Sequence, residues 1–369
     1  MWHNRGMEKD VAQRSPDAYG RRAFMKASGL AAAGLAFPRS AWWAAPSGDE
    51  RLGRIAVSQA HLRARPDGES ASLGLLYQDA VIPWLREISG RQAGRINQRW
   101  VETDKGYVWS ALVQPVWNRP ATPVASLPAT SLGPGMWAEV SVPFVDVILA
   151  NPPARSPWLK HTTLPRLYYS QVIWVDDVRQ DEAGGVSYHL KERFGFGDFL
   201  WAEAAGLRPL TADELAPIHP GAESKRVLVD LTYQSLSCME GKSEVYFCRI
   251  SSGAKFDSQG QATDKWSTPL GPHPIWRKLI SIHMVGGTTG GGYDLPGIGW
   301  TSLFSGDGVA IHSTFWHNNF GEPMSHGCVN ARPQDAQWIF RWVEPHVGYD
   351  PGDVTVGMPG GTVVEVIER

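Results

Sequence analysis

Residues 311–330 read IHSTFWHNNFGEPMSHGCVN, and the rest of the chain is organised to present this stretch. It contains one cysteine, Cys328, with His312 upstream of it and His326 separated from it by a single residue. A cysteine attacks as its thiolate, so a nucleophilic cysteine needs an imidazole or another positive environment that lowers the pKa of the thiol. The stretch therefore predicts a cysteine nucleophile with two candidate imidazole partners.

Small and polar residues surround this cysteine. Gly327 permits consecutive N–H groups to turn toward one point, which is the arrangement that stabilises an oxyanion. Ser325 and Asn330 flank the turn with side chains that hydrogen-bond local backbone. Further upstream, Asn318-Asn319 and Gly321-Glu322-Pro323 predict a loop that folds back. Such a loop brings the two ends of the stretch together.

The motif SHGCVN at residues 325–330, preceded by Ala310-Ile311-His312, resembles the signature of the YkuD-type L,D-transpeptidases, which cross-link bacterial peptidoglycan. Leu228 to Leu236 resembles the opening strand of that family, and Ser267-Thr268-Pro269-Leu270-Gly271 resembles its Thr-Pro-x-Gly turn. The resemblance covers about residues 224–369.

Two positions depart from the family's pattern. Ser313 stands where many members carry glycine, and Pro272-His273-Pro274 replaces the phenylalanine that follows the Thr-Pro-x-Gly turn. Neither departure changes the predicted nucleophile or base.

The resemblance and the chemistry together imply a role for each residue. Cys328 attacks the amide carbonyl at position three of a tetrapeptide stem and releases the terminal D-alanine as a thioester forms. His312 takes the thiol proton and later serves the incoming amine, while the backbone carbonyl of Ser313 holds its tautomer. The amides of Gly327 and Cys328 stabilise the oxyanion. His326 either orients the loop or lowers the thiol pKa, and no cofactor is required.

Five further residues are predicted to contact substrate. They are Ser325, Asn330, His283, Met284 and Trp316. His283 and Met284 resemble a family segment beside the active site, and a buried structural role for His283 is the alternative. His317 is interpreted as a loop residue. A zinc site of His312, His317, His326 and Cys328 is disfavoured because the usual ligand spacings are missing and a bound metal would block the thiolate.

Three functions are compatible with these residues. In an L,D-transpeptidase an amine resolves the thioester, and in a cysteine L,D-carboxypeptidase on the same stems water resolves it. In a non-catalytic wall-binding scaffold the site is vestigial. The intact set of His312, His326 and Cys328 disfavours the scaffold, because drift erases a nucleophile and base before it erases a β core.

Composition sets limits on the whole chain. Its 369 residues suffice for two or three domains with proper cores, and its formal charge of −2 argues against nucleic acid as the main partner. The 39 glycines, 27 prolines and 17 tryptophans indicate turn-rich β structure with aromatic packing.

Residues 1–46 resemble a twin-arginine export signal. Gly20-Arg21-Arg22-Ala23-Phe24-Met25-Lys26 is followed by the apolar run Ala27 to Phe37, which is too short to anchor stably across a bilayer. The alternative is a disordered basic tail. The signal implies an extracytoplasmic, cell-wall-associated protein with no stable transmembrane anchor.

Two segments with short predicted strands precede the motif, and we name them module 1 (residues 52–120) and module 2 (residues 136–218). Each ends in an aromatic-x-Trp-[Ser/Ala] strand followed by proline, which indicates duplication. Both resemble bacterial Src-homology-3-like β-barrels. Glycan or partner binding and service as a packing platform are the two interpretations, and the sequence does not choose between them. Residues 121–134 and 211–224 are predicted linkers.

The C-terminal domain, residues 224–369, is predicted to be β-rich with one main helix. Glu240-Gly241-Lys242-Ser243 indicates a hairpin turn, and Pro333 to Val343 shows helical spacing with proline in its first turn. With the turn at Gly241-Lys242, Cys238 would face Val245 and Cys248 would face Ser235. The two cysteines are therefore predicted to be buried and unpaired.

Overall fold

The structure is a computed structural model that describes residues 47–256, 261–286 and 293–369. The predicted export signal at residues 1–46 lies outside the described residues. The described part is mostly β, as predicted, and its two α-helices are α1 (Pro157–His161) and α2 (Pro333–Trp342). No helix in this part is long and apolar enough to cross a membrane.

Module 1 consists of two antiparallel sheets. Strands β4, β1 and β8 form one sheet in that order, and β3, β2, β7, β6 and β5 form the other. Ile55, Val101 and Val113 lie in the apolar core between them. The strands are β1 (Gly48–Ile55), β2 (Gln59–Arg63), β3 (Ser72–Tyr77), β4 (Val81–Pro83), β5 (Arg86–Ser89), β6 (Arg99–Thr103), β7 (Gly106–Trp109) and β8 (Val113–Asn118).

Module 2 is built on one seven-stranded sheet in the order β13-β12-β16-β15-β14-β11-β17. A short hairpin in the linker, β9 (Ala129–Thr130) with β10 (Gly133–Pro134), precedes it. The strands of the sheet are β11 (Met136–Val140), β12 (Phe144–Leu149), β13 (Arg166–Tyr168), β14 (Val172–Gln180), β15 (Val186–Lys191), β16 (Phe199–Glu203) and β17 (Leu207–Pro209). The resemblance of the two modules to Src-homology-3-like barrels stays a prediction.

Both modules end with a strand, one 3₁₀ turn and a final strand. The turns are Ser110–Leu112 and Ala204–Gly206, and their N-cap residues Trp109 and Glu203 have nearly the same backbone angles. The junctions therefore match, but the aromatic-x-Trp alignment is offset by two residues, since Trp109 is equivalent to Glu203 rather than to Trp201. The recurring backbone, rather than the tryptophan, marks the repeat.

The C-terminal domain packs two five-stranded sheets and α2 around one core. The sheet orders are β20-β19-β18-β27-β21 and β25-β24-β23-β22-β26. Val229, Ile311, Val329 and Ile339 meet in this core, so both sheets and the helix bury apolar side chains together. The strands are β18 (Lys225–Asp230), β19 (Ser235–Glu240), β20 (Ser243–Arg249), β21 (Gly271–Pro274), β22 (Arg277–Gly286), β23 (Tyr293–Leu303), β24 (Ala310–Ser313), β25 (Val329–Ala331), β26 (Asp353–Thr355) and β27 (Val363–Ile367).

The predicted hairpin register is correct at the turn and wrong beyond it. Glu240 faces Ser243 and Met239 faces Glu244, but a bulge then shifts the pairing by one residue. Cys238 consequently faces Tyr246, and Cys248 faces Leu236. A β-bulge adds one residue to one strand, and the alternation of side chains in the sequence does not reveal where it lies. Both cysteines are unpaired and buried, as predicted.

Module 2 shares a core with the C-terminal domain. Trp137 and Trp174 pack in one cluster with Trp300 and Phe340, and all four are at least 98% buried. A continuous apolar interface of this kind fixes the position of module 2 against the sheet that carries the motif.

Candidate active site

The predicted nucleophile and base lie on two adjacent parallel strands. In the ladder between β24 and β25, Ile311 is paired with Val329 and His312 with Asn330. Ile311 and Val329 point into the core. Because side chains alternate along a strand, His312 and Asn330 point to the opposite face, where Cys328, which directly precedes β25, joins them. The returning loop has therefore brought the ends of the motif together.

A directional chain of hydrogen bonds crosses this face. The Asn319 N–H donates to His317 Nδ1 at 3.2 Å, so His317 Nε2 carries the proton and donates to Asn330 Oδ1 at 3.1 Å. Asn330 Nδ2 donates to His312 Nε2 at 3.2 Å, and His312 Nδ1 donates to the Ser313 carbonyl at 2.8 Å. A backbone donor at one end and a backbone acceptor at the other fix both tautomers.

This chain defines what His312 can do. Its Nδ1 is protonated and anchored on Ser313, as the sequence analysis expected, and its Nε2 holds the only lone pair that can accept a proton. Burial lowers the pKa of His312 to about 4, and burial likewise lowers the pKa of His317 to about 4. Both rings are consequently neutral at pH 7.

Cys328 lies beside this chain in a mainly apolar pocket. It packs with Ala310 and Met284, and its Sγ is 3.9 Å from the Gly308 carbonyl oxygen. Burial raises the pKa of the Cys328 thiol to about 11, and the Ala310 N–H offsets this only in part. Across the described residues, neither His312 nitrogen hydrogen-bonds to the thiol.

The resting pair is therefore a neutral thiol beside a neutral imidazole. Burial disfavours the charged form of both groups, so it acts against the expected lowering of the thiol pKa by a neighbouring ring. Proton transfer between them has to accompany the approach of substrate.

The turn that carries the cysteine is held from both sides. Gly327 has a φ of 120°, which only glycine adopts without strain, and its carbonyl accepts a hydrogen bond from Thr268 Oγ1 at 2.8 Å. Ser325 Oγ donates to the Cys328 carbonyl at 2.5 Å and accepts the Gly327 N–H at 3.1 Å. Ser325 thus stabilises the turn from one side. Thr268, which the sequence marks only as part of a turn motif, stabilises it from the other side.

His326 is exposed at the mouth of the site. Its ring lies 4.7 Å from that of Trp266 and 5.2 Å from that of Tyr293. Tyr293 is close enough to Cys328 for a thiolate there to raise its pKa, in addition to the larger effect of burial. His326 is therefore placed between two aromatic rings, and Tyr293 is a site residue that the sequence analysis missed.

A cleft of about 1130 Å³ leads to this mouth. Ser325, His326 and Trp266 line it from the C-terminal domain, while Arg95 and Ile96 line it from module 1. Module 1 therefore contributes one wall of this cleft, which reaches the site at Ser325 and His326 and is not lined by Cys328 or His312.

The other residues that were predicted to contact substrate differ in position: some line the site and one supports the base. Trp316 is the one partly exposed residue between positions 311 and 320, and its ring centroid is 5.9 Å from that of His312, as a wall residue requires. Met284 packs against the same apolar cluster as Cys328. Asn330 is buried and holds His312, so its contact is with the base.

His283 does not line the site. Its side chain is 0% exposed, and its two ring nitrogens contact Glu192 Oε2 at 2.6 Å and Asp294. Glu192 belongs to module 2, so this histidine joins the two domains. The predicted substrate contact is wrong, and the structural alternative holds.

Module 1 forms hydrogen bonds to the loop between β24 and β25, residues 314–328, which we call the motif loop. Glu322 Oε1 accepts the N–H groups of Ile96 and Asn97 at 2.7 and 3.0 Å. The Asn318 N–H donates to the Ala111 carbonyl at 3.2 Å. Buried hydrogen bonds of this kind exclude alternative loop positions, so module 1 serves as a platform for the motif.

No group of three or more His, Cys, Asp or Glu side chains in residues 47–256, 261–286 and 293–369 is arranged to hold a metal ion.

The two buried neutral histidines predict a loss of stability in acid. Each binds a proton at about pH 6.5 in the unfolded chain but only near pH 4 when folded. Between these values each lowers the free energy of unfolding by about 1.4 kcal/mol per pH unit as the pH falls. Urea unfolding from pH 7 to pH 4 should show that His317→Gln reduces this slope by about one histidine's share.

The exposed His61 of module 1 supplies the control. Its replacement by glutamine removes a histidine that is not buried, and equal slopes for His317→Gln and the unmodified protein would show that His317 is not a buried neutral base.

Comparison with known proteins shows which family the C-terminal domain resembles. Residues 224–366 match the model of the YkuD L,D-transpeptidase catalytic domain. No curated protein matches the chain.

Three solved structures are similar. A crystal structure of a mutant Enterococcus faecium L,D-transpeptidase is 24% identical over 40% of this chain and 52% of its own, with a TM-score of 0.31. The match therefore spans about half of that protein's length. The NMR structure of the catalytic domain of the E. faecium enzyme is 24% identical over 40% of this chain and 99% of its own, with a TM-score of 0.30. An L,D-transpeptidase from Mycobacterium smegmatis is 18% identical over 52% and 98%, with a TM-score of 0.30.

Proposed function

Because residues 224–366 form an L,D-transpeptidase catalytic domain of the YkuD family, we propose that this chain cross-links peptidoglycan stem peptides through a Cys328 acyl-enzyme. The observation that supports this most strongly is the shared face of β24 and β25, which carries Cys328, His312 and a hydrogen-bond chain that fixes one imidazole tautomer. The proposed site of action is extracytoplasmic, at the cell wall.

Acylation begins with transfer of the thiol proton to His312 Nε2. In the resting structure Asn330 Nδ2 occupies that lone pair, so the amide has to release it as substrate enters, and catalytic contacts commonly tighten only in the substrate complex. The thiolate then attacks the carbonyl carbon of the third residue of a tetrapeptide stem. The amide C–N bond breaks, the leaving D-alanine nitrogen takes the proton from His312, and a thioester remains on Cys328.

Transfer follows the same path with a different nucleophile. An acceptor amine attacks the thioester carbon while His312 Nε2 takes its proton. The C–S bond breaks, the new amide forms, and the proton returns from His312 to the Cys328 sulfur. No redox partner or cofactor enters this sequence.

The oxyanion of each tetrahedral intermediate is assigned to the N–H groups of Gly327 and Cys328. At rest the Gly327 N–H donates to Ser325 Oγ at 3.1 Å, so the oxyanion has to replace this hydroxyl as the acceptor. Each aligned donor of this kind contributes about 3 kcal/mol to transition-state stabilisation. The hydrogen bonds of Ser325 and Thr268 to the turn hold the backbone that carries both donors in place.

Water can attack the thioester carbon in place of the acceptor amine, which gives the L,D-carboxypeptidase alternative. The cleft beside Ser325 and His326 favours transfer, because its volume of about 1130 Å³ offers room for an acceptor stem next to the turn that carries Cys328. The wall-binding scaffold is the remaining alternative.

Mass analysis of muropeptides after incubation with the protein tests the proposal. Tetrapeptide stems alone should yield 3-3 cross-linked dimers with stoichiometric release of D-alanine. Tripeptide without dimer would establish the carboxypeptidase, and unchanged stems with retained wall binding would establish the scaffold.

A further inference from the structure

We propose that a cavity where module 1, module 2 and the C-terminal domain meet is a binding site for a small ligand that carries two or more oxyanion groups. The cavity has a volume of about 450 Å³. Trp117 lines it from module 1, Tyr169 from module 2 and Gln337 from the C-terminal domain. Neither Cys328 nor His312 borders it, while His317, at the far end of the hydrogen-bond chain to His312, does. The proposal does not rest on the reaction proposed above.

The lining is rich in arginine. Four arginines face the cavity, namely Arg51, Arg119, Arg208 and Arg332, against one carboxylate, Glu139. Glu139 is already paired with Arg208, and Arg208 also contacts Glu214 at 2.8 Å. Two carboxylates therefore more than balance the charge of Arg208, and Arg119 is paired with Asp49 at 2.9 Å, which leaves Arg51 and Arg332 as the arginines that can pair with an anion.

Arg51 and Arg332 carry the uncompensated charge. Within the described ranges no carboxylate lies at ion-pair distance from Arg51, whose guanidinium stacks 4.0 Å from the Trp84 ring centroid. Burial lowers the pKa of Arg51, attraction by Glu87 acts in the opposite direction, and repulsion by Arg332 lowers the pKa further. Arg332 has one acidic neighbour, Asp335 at 3.6 Å, which also accepts the Tyr246 hydroxyl at 2.7 Å. An anion between the two guanidinium groups would remove this repulsion.

Two buried hydroxyl groups at the cavity lack partners. Thr314 and Ser170 are each 2% exposed, and among the described residues no hydrogen bond is made by Thr314 Oγ1 or Ser170 Oγ. Buried hydroxyl groups are normally hydrogen-bonded. Both are donors that suit an oxyanion.

The first turn of α2 adds backbone donors. The helix has ten residues, its N-cap is Arg332, no side chain caps it, and Pro333 and Gln334 line the cavity. Unpaired N–H groups and the helix dipole favour an anion at this end.

Together these groups define the chemical class of the ligand. Guanidinium forks, hydroxyl donors and a helix N-terminus recognise the planar or tetrahedral oxygens of carboxylates and phosphates. Because the donors come from all three parts of the chain, a bound ligand joins them and stabilises their arrangement.

Thermal unfolding and calorimetric titration of the full chain test this site, with citrate and pyrophosphate as probes at constant ionic strength. We expect a saturable rise in melting temperature with at least one probe and none with sodium chloride at equal ionic strength. Tighter binding of citrate assigns the site to carboxylates, and tighter binding of pyrophosphate assigns it to phosphates. Absence of saturable binding by both overturns the proposal.

Variants locate the binding. Arg51→Gln combined with Arg332→Gln should weaken affinity at least tenfold, whereas Arg86→Gln, an exposed arginine of module 1 that pairs with Glu102, should leave it unchanged. Thr314→Val keeps every charge and should weaken binding severalfold, so it serves if the double variant fails to fold. Equal affinity in the Thr314→Val, Arg86→Gln and unmodified proteins would place any binding elsewhere and overturn the proposal.

Discussion

Replacement of Cys328 by alanine is expected to lower the rate of 3-3 dimer formation by at least about 10⁴-fold, because no other group in the site can form the thioester. The two remaining cysteines cannot substitute for it. Cys238 and Cys248 are buried in the core of the C-terminal domain, and burial raises the pKa of both thiols. Dimer and D-alanine are measured together by chromatography and mass spectrometry.

Cys238→Ala is the matched control, since it removes a thiol of the same domain outside the site. It should retain activity in proportion to the fraction that folds. Cross-linking by Cys328→Ala at more than about one hundredth of the normal rate would contradict a cysteine acyl-enzyme.

Replacement of His312 by glutamine is expected to lower the acylation rate by about 10²- to 10⁴-fold, with little change in substrate affinity. Because His312 Nδ1 is protonated, Nε2 is the ring nitrogen that can accept the thiol proton. A glutamine amide is not basic enough to replace it. Single-turnover release of D-alanine measures this step. In the unmodified protein the acid limb of the rate should lie near pH 4, because burial lowers the pKa of His312 to about 4.

Two variants of His317 separate base chemistry from positioning. His317→Gln can still donate to Asn330 Oδ1 and should keep most of the activity, whereas His317→Leu leaves that oxygen unpaired and frees Asn330 to turn. Equal acylation rates for His312→Gln and the unmodified protein would eliminate His312 as the base.

Alkylation of the thiol provides an independent check on the resting state. A neutral Cys328 with a pKa of about 11 should react with iodoacetamide at a rate that rises about tenfold per pH unit from pH 7 to pH 10. A rate that is already constant at pH 7 would indicate a resting thiolate.

Local sequence patterns are sufficient to predict several elements of the C-terminal domain. The helix predicted from Pro333 to Val343 spans Pro333–Trp342, because an apolar stripe at helical spacing and a proline in the first turn are both local signals. The loop that returns Cys328 to His312 was likewise visible in its asparagine, glycine and proline residues.

Long-range partners were not visible. Asn97 Nδ2 bonds Asn319 Oδ1 at 3.1 Å across most of the chain, and Glu322 accepts backbone N–H groups of module 1. Nothing near Glu322 distinguishes it from a solvated loop acid. Sequence alone therefore does not distinguish wall binding by module 1 from bracing of the motif, and the hydrogen bonds to the motif loop favour bracing.

The assignment of histidines shows the same limit. His283 and His317 carry no local mark of burial, yet one lies between two carboxylates and the other completes the chain to His312. Resemblance indicated the family and its nucleophile. It could not indicate that burial keeps thiol and imidazole neutral, since that follows from three-dimensional packing alone.

The intact mass of the protein after brief mixing with a tetrapeptide stem, without acceptor, tests the central claim most directly. The account predicts an increase equal to the donor minus one D-alanine, carried by the proteolytic fragment that contains Cys328 and absent from Cys328→Ala. An unchanged mass while D-alanine accumulates in a burst, or an adduct on any other residue, would contradict it.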